Sequence, residues 1–222
     1  MFYEPGNTDH GLPHNPFKSC VIPRPIGWIS SLSPDGVANL APFSQFQNLT
    51  FDPPYVMFAA NQKVAGSRKD STDNVEQTGE FVWNMATYDL REAVNISGME
   101  VPPEADEFEL AGVTKAPSRL IKPPRVAESP IHFECVYHST LRLPGNEGFG
   151  SVDIVIGKVL AIHIDDDALT EDGLVDVLKI RPIARLGYYD YTSIENVFRM
   201  EIPGNNDQLL RGLEGRPGEI GA

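Results

Sequence analysis

Only two cysteines, Cys20 and Cys135, occur in the 222 residues. That is too few for a disulfide framework, and a reducing, cytoplasmic setting is expected. No run of about 18 apolar residues is present, so no membrane span and no membrane partner are expected. Residues 1–15 lack the basic start and apolar stretch of a signal peptide. Basic residues are scarce: 18 Lys and Arg stand against 31 Asp and Glu, a formal net charge of -13. A surface of that sign repels phosphate backbones, which argues against nucleic acid as a partner. The same imbalance makes a local cluster of Lys and Arg informative.

Several chemistries are missing as well. Gly145, Gly148 and Gly150 have the wrong spacing for a dinucleotide fingerprint and precede a strand. There is no Walker loop, no H-E-x-x-H helix and no G-x-S-x-G elbow. Of the five histidines, His10 and His14 flank Pro13, which argues against a helical metal face. His132 and His138 lie at even spacing in one strand signal and are expected on a common face as packed or surface residues; no metal site is expected. Neither cysteine has a positioned base that would make it a nucleophile.

What is present is punctuation, 19 Gly and 19 Pro, which favours many short strands. Strand signals run over residues 26–32, 37–46, 55–60, 80–86, 131–143, 151–164, 186–191 and 197–202. Ser33-Pro-Asp-Gly36 is the turn of a first hairpin. In the segment 151–164, Val152, Ile154 and Ile156 alternate against Ser151, Asp153 and Val155. A helix is expected after residue 70, from the capping-box spacing of Asp73-Asn-Val-Glu76 or a cap one turn earlier at Ser71 or Thr72, ending at Gly79. Residues 90–96 form a short second helix. Residues 99–130, rich in Pro and acid, cross the surface. The reading is a mainly β fold, a Greek-key barrel with a few helices. Residues 1–16 are an arm, 17–202 the domain and 203–222 a tail.

Three segments stand out: Arg24-Pro-Ile-Gly-Trp-Ile-Ser-Ser31; Asn39-Leu-Ala-Pro-Phe-Ser-Gln-Phe46 with Asn48; and Ser67-Arg-Lys-Asp-Ser-Thr72. In the third, Arg68 and Lys69 precede a helix start whose free N–H groups and dipole favour an anion. Solvated loop charges are the plainer alternative. The first two segments could place a hairpin along a flat aromatic ligand, or simply pack Trp28 and Phe46 into a core.

The order of these segments resembles the flavin reductase-like, FMN-binding split-barrel family, in particular its flavoredoxin and monooxygenase-reductase-component branch. Further matching segments are Asp52-Pro-Pro, Gly79-Glu-Phe-Val-Trp-Asn, Asp106-Glu-Phe-Glu-Leu-Ala-Gly112, Lys122-Pro-Pro-Arg-Val-Ala-Glu-Ser-Pro130 and Arg185-Leu-Gly187. The resemblance implies a split-barrel homodimer holding FMN non-covalently, with NADH or NADPH as electron donor. It implies Trp28, Ile29 and Ser30 along the isoalloxazine, and Ser44, Gln45, Phe46 and Asn48 near the ring and ribityl chain. It further implies Ala60 and Asn61 near the flavin's polar side, and Ser67, Arg68, Lys69, Asp70 and Ser71 at the phosphate. Arg185, Gly187 and Tyr188 are possible contributors from a partner chain. The implied activity is an NAD(P)H-dependent FMN reductase with no acid–base side chain, feeding a flavin-dependent monooxygenase or another acceptor. The alternatives are a flavoredoxin-like carrier or an FMN-binding protein without turnover. Residues 99–130 are a candidate cover for the open flavin face.

Overall fold

The computed structural model describes residues 1–63, 66–146 and 151–200. After helix α1 (Phe17–Cys20) and the short β1 (Arg24–Pro25) come β2 (Gly27–Leu32), β3 (Ala38–Phe43), β4 (Phe46–Phe51) and β5 (Pro54–Asn61). Helix α2 (Asp70–Thr78) leads into β6 (Glu80–Asn84), followed by α3 (Arg91–Ile96) and α4 (Glu107–Ala111). A two-residue pair, β7 (Lys115–Ala116) and β8 (Arg125–Val126), precedes the long hairpin of β9 (Ile131–Leu143) and β10 (Val152–Ile164). Helix α5 (Val177–Ile180), β11 (Ile183–Gly187) and β12 (Asp190–Ser193) complete the described elements, with a turn of 3-10 helix at Asp166–Ala168.

Seven strands form one sheet in the order β3-β2-β6-β9-β10-β5-β4, and every neighbouring pair is antiparallel. Ile29, Phe43, Phe46, Phe58, Phe81, Cys135 and Val155, one from each strand, share a single buried cluster. Side chains of seven consecutive strands meet in one core only if the sheet curls round it, so the sheet is a barrel. The two edge strands, β3 and β4, are joined by Ser44 and Gln45 alone, and the barrel is split there. Gly157 permits the curl: a Cβ at this position would lie 2.3 Å from the ring of Phe81. Val75 of α2 enters the same cluster, so the helix plugs one end of the barrel.

A second cluster lies outside the barrel. Trp28 and Leu40 point away from the first core and pack with Val94 of α3, Phe108 of α4 and Val126. The period of two along β2 therefore sends Ile29 into the barrel and Trp28 into the helical layer.

Four expectations need correction. The strand expected over 37–46 stops at Phe43, the chain turns at Ser44 and Gln45, and a new strand begins at Phe46. Residues 197–200 are not a strand, and 201–222, including the tail, lie outside the described residues. The strand expected over 186–191 is instead parts of two, β11 ending at Gly187 and β12 beginning at Asp190, with a turn at Tyr188 and Tyr189 between them. His132 and His138 do not share an environment: the first is buried, the second exposed. The pairing of β9 with β10 slips between Tyr137 and Ser139, so His138 is an extra, bulged residue that breaks the alternation.

Candidate functional site

Helix α2 begins against β3, where Ser71 bonds Asn39. Its N-cap is Lys69, in extended geometry with φ -72 and ψ 138, and Gly79 ends it with φ 77. The helix starts one turn before the Asp73-to-Glu76 box, because the N–H groups of Thr72 and Asp73 already close on the Lys69 carbonyl at 3.0 and 3.2 Å. The amides at the start of a helix have no carbonyl one turn back to bond. Asp70 and Ser71, whose amides are of this kind, line a cleft of about 70 Å³ whose walls include Pro42, Phe43, Lys69, Met99 and Glu107. Its enclosed part suits a phosphate-sized group, well below the roughly 300–1,000 Å³ of a pocket that swallows a whole ligand. A larger ligand would extend from it along β3 towards the half-buried Ser44 and Gln45 at the barrel split.

A buried polar network sets the floor of this cleft. Asn39, on β3, donates from its amide to Glu107 Oε1 at 2.8 Å, and the Leu40 N–H donates to Glu107 Oε2 at 3.2 Å. Asn39 Oδ1 accepts from Ser71 Oγ at 2.7 Å and from Ser31 Oγ at 3.3 Å. Burial raises the pKa of Glu107, while bonds from its own N–H, Leu40 and Asn39 pull the other way. Asn39 and Glu107 were not among the expected site residues. Their signal was weak: a polar residue between apolar neighbours on a strand, and an acid at the start of a helix.

The structure gathers some of the expected residues and separates others. Lys69 faces the cleft with its side chain one-third exposed, 4.0 Å from Glu100. Asp70 lines it but is paired with Lys63 at 2.8 Å, and the Ser71 hydroxyl is turned away to Asn39. Arg68 does not line the cleft: its guanidinium bonds Asp73 at 2.8 Å, Glu76 at 2.7 Å and Asp153 at 2.9 Å. Hydrogen bonding to Glu76 raises its pKa above the ordinary arginine value. Ser67 is exposed.

Trp28 is fully buried in the outer cluster and donates from Nε1 to Ser97 Oγ at 2.9 Å. Ile29 is fully buried in the barrel core, and Ser30 Oγ is bonded to the Pro124 carbonyl at 2.5 Å. Phe46 stacks on Trp83 in the core, ring centroids 5.4 Å apart. Asn48 is exposed and accepts from Gln47 at 2.7 Å. Ala60 is buried opposite Asp153 and Asn61 is exposed opposite Val152. Arg185, Gly187 and Tyr188 do not line this cleft.

The excursion over 99–130 is fixed more firmly than a cover would need. Glu134, fully buried, accepts the N–H groups of Arg119 and Leu120, both at 2.7 Å. The Val126 N–H donates to Asn84 Oδ1 at 2.8 Å, and the Lys122 N–H to Glu80 at 2.9 Å. Only its beginning, Met99 to Val101, together with Glu107, borders the cleft.

A phosphorylated flavin fits this geometry at its phosphate end. Lys63 and Lys69 line the cleft with Asp70 and Ser71 of the first turn of α2, and Lys63 is paired with Asp70 while Lys69 is not. The flavin reductase like domain family matches residues 19–192. A protein of Halalkalibacterium halodurans is 37% identical over 183 residues, covering 82% of this chain and 87% of its own. Nitrilotriacetate monooxygenase component B from Bacillus cereus superposes with a TM-score of 0.82 at 30% identity, covering 90% of this chain and 98% of its own. A split barrel domain protein from Shewanella frigidimarina does so with a TM-score of 0.70 at 21% identity, covering 81% and 86%. No helix among the described residues is long and apolar enough to cross a membrane.

Proposed function

The chain belongs to the flavin reductase like domain family, and from that premise we propose that it is an NAD(P)H-dependent FMN reductase acting as a homodimer. The observation that carries the reading is the shared cleft: β3 and the first turn of α2 meet with Lys69 turned into the gap. Lys69 Nζ and the amides of Asp70 and Ser71 would hold the phosphate by charge-assisted bonds. Pro42, Phe43, Ser44 and Gln45 would lie along the ring, with backbone groups at its polar edge. The chemistry supplied by bound FMN is acceptance of a hydride from NADH or NADPH. The protein's own part is to bind, orient and exclude water, with Met99 and Val101 walling the phosphate end. Glu107, the buried carboxylate of the cleft, is spent on Asn39 and Leu40 and acts by holding them.

The outward face of the barrel supports the dimer. Ile154 lies between Ala59 and Leu141, and Val152 between Asn61 and Leu143, in register across three strands. Met57, Ile156 and Gln47 extend the face into β4. Leu141 is 56% exposed and Leu143 44%, an apolar sheet surface that a second copy would cover. The component B relative suggests a monooxygenase as acceptor of the reduced flavin. Anaerobic mixing of the FMN-loaded protein with NADH or NADPH tests the activity. Bleaching of the blue flavin absorbance within seconds supports it; no bleaching with either donor favours an electron carrier or a flavin-binding protein without turnover.

A further inference from the structure

Arg68 sits beside the cleft of α2 in a strongly acidic chain, yet its side chain does not line it. Its Nε bonds Asp153 Oδ2 at 2.9 Å; Nη1 bonds Asp73 Oδ1 at 2.8 Å and Glu76 Oε2 at 2.7 Å; Nη2 lies 2.7 Å from Glu76 Oε1. Each nitrogen of the fork is ion-paired with a carboxylate, though Nη2 makes no hydrogen bond of good geometry. Asp153 is the anchor: its side chain is 3% exposed, on β10, and Arg142 Nε bonds its other oxygen at 2.7 Å. Burial works to raise the Asp153 pKa, but the bonds from Arg142 and Arg68 outweigh it and hold the carboxyl below its ordinary value. Moving Arg68 to a phosphate would leave that buried carboxylate with Arg142 alone, a poor exchange in a site of low dielectric.

The residues around it are anchored too. Asp70 is held by Lys63 of the preceding loop and Ser71 by Asn39, so positions 68 and 71 are tied to β10 and β3 and position 70 to its own loop. Of the described cations lining the cleft, Lys63 is paired with Asp70, and Lys69 has no acid closer than Glu100 at 4.0 Å.

We propose that Arg68 is a positioning residue: its lock on Asp153 pins the start of α2 to β10 and so aims Lys69 and the first helical amides at the phosphate. The proposal deepens the flavin reading above and rests on it for the ligand, though not for the lock itself. Displacing pre-set ligand groups by even an ångström is costly, and loss of an outer supporting partner typically lowers affinity on the order of tenfold.

The test uses the full chain in five forms: wild type, Arg68→Ala, Asp153→Asn, Glu76→Gln and the Arg68→Ala/Asp153→Asn double variant. FMN and riboflavin affinities come from flavin fluorescence titration, and hydrogen exchange is followed at the amides of residues 69–72 without flavin. Arg68→Ala and Asp153→Asn are each expected to weaken FMN about tenfold while changing riboflavin little, and the double variant to be no worse than the poorer single one. Both should speed exchange at 69–72. Glu76→Gln, in a more exposed partner, should show the same pattern more weakly and serves if Asp153→Asn does not fold. If Arg68→Ala alone weakens FMN, and exchange at 69–72 is unchanged in every variant, Arg68 is a direct ligand and the proposal falls. If wild type takes no FMN while Arg68→Ala and Asp153→Asn both speed exchange, the lock stands and the flavin reading fails.

Discussion

The side-chain amide of Asn39 donates to the buried carboxylate of Glu107 at 2.8 Å, joining β3 to α4 beneath the cleft. The same Asn39 accepts from Ser71, so one side chain fixes both the strand and the helix start that form the candidate site.

Replacing Glu107 by Ala would strand the Leu40 N–H and the Asn39 amide in the interior. The expected loss of stability is about 1–3 kcal/mol, the usual cost of an unsatisfied buried donor. Urea unfolding measures it, and an unchanged midpoint would show that water or another group replaces the carboxylate. FMN affinity should fall as well, because Asn39 loses its orientation.

Lys69→Ala should weaken FMN by roughly 1.5–3 kcal/mol, the range for a charge-assisted bond, with riboflavin binding unaltered. Glu100, 4.0 Å from Lys69 and half-exposed, places a negative charge where the phosphate would enter. Glu100→Gln should therefore tighten FMN by about 0.5 kcal/mol, the scale of an exposed pair. A fluorescence titration reads both; weaker binding in Glu100→Gln would mean that the acid supports the site.

Leu141→Glu and Ile154→Glu place a carboxylate in the middle of the outward apolar face. Light scattering after size exclusion should report a dimer for wild type and a monomer for both variants. Dimers that persist in both variants would move the interface elsewhere.

Burial lowers the pKa of His132 from 6.5 to about 4, and its Nε2 lies 2.7 Å from the Val126 carbonyl. The folded state therefore binds this proton less readily than the unfolded chain. The associated stability is complete above pH 6.5 and is lost as the pH falls towards 4, to a total of about 3 kcal/mol. Chemical denaturation at pH 7 and pH 5 should show the fall in wild type and a shallower one in His132→Gln. Parallel curves for the two proteins would assign the effect to the carboxylates.

Much of the barrel was legible in the sequence because its signals are local. The strands over 131–143 and 151–164 announce themselves by β-branched content, and Gly79 by its place after a helix. Burial direction was less legible. Period two says that Val152, Ile154 and Ile156 share a face, but not whether that face meets a core or a partner, and a single bulge at His138 cancels the period altogether. The sequence nominates the site by segment, and which side chains reach the cleft depends on contacts far along the chain. Arg68 and Lys69 are alike in sequence; only the distant Asp153, brought alongside by β10, separates them. Trp28 reads as core by its residue type and as a cofactor wall by the family resemblance, and the structure packs it against Val94 and Phe108.

The most direct test of the account is a titration of the purified chain with FMN and, in parallel, with riboflavin. Saturable binding of one FMN per chain, clearly tighter than riboflavin and weakened by Lys69→Ala, is the predicted result. Equal affinity for the two flavins, or none for either, would contradict it.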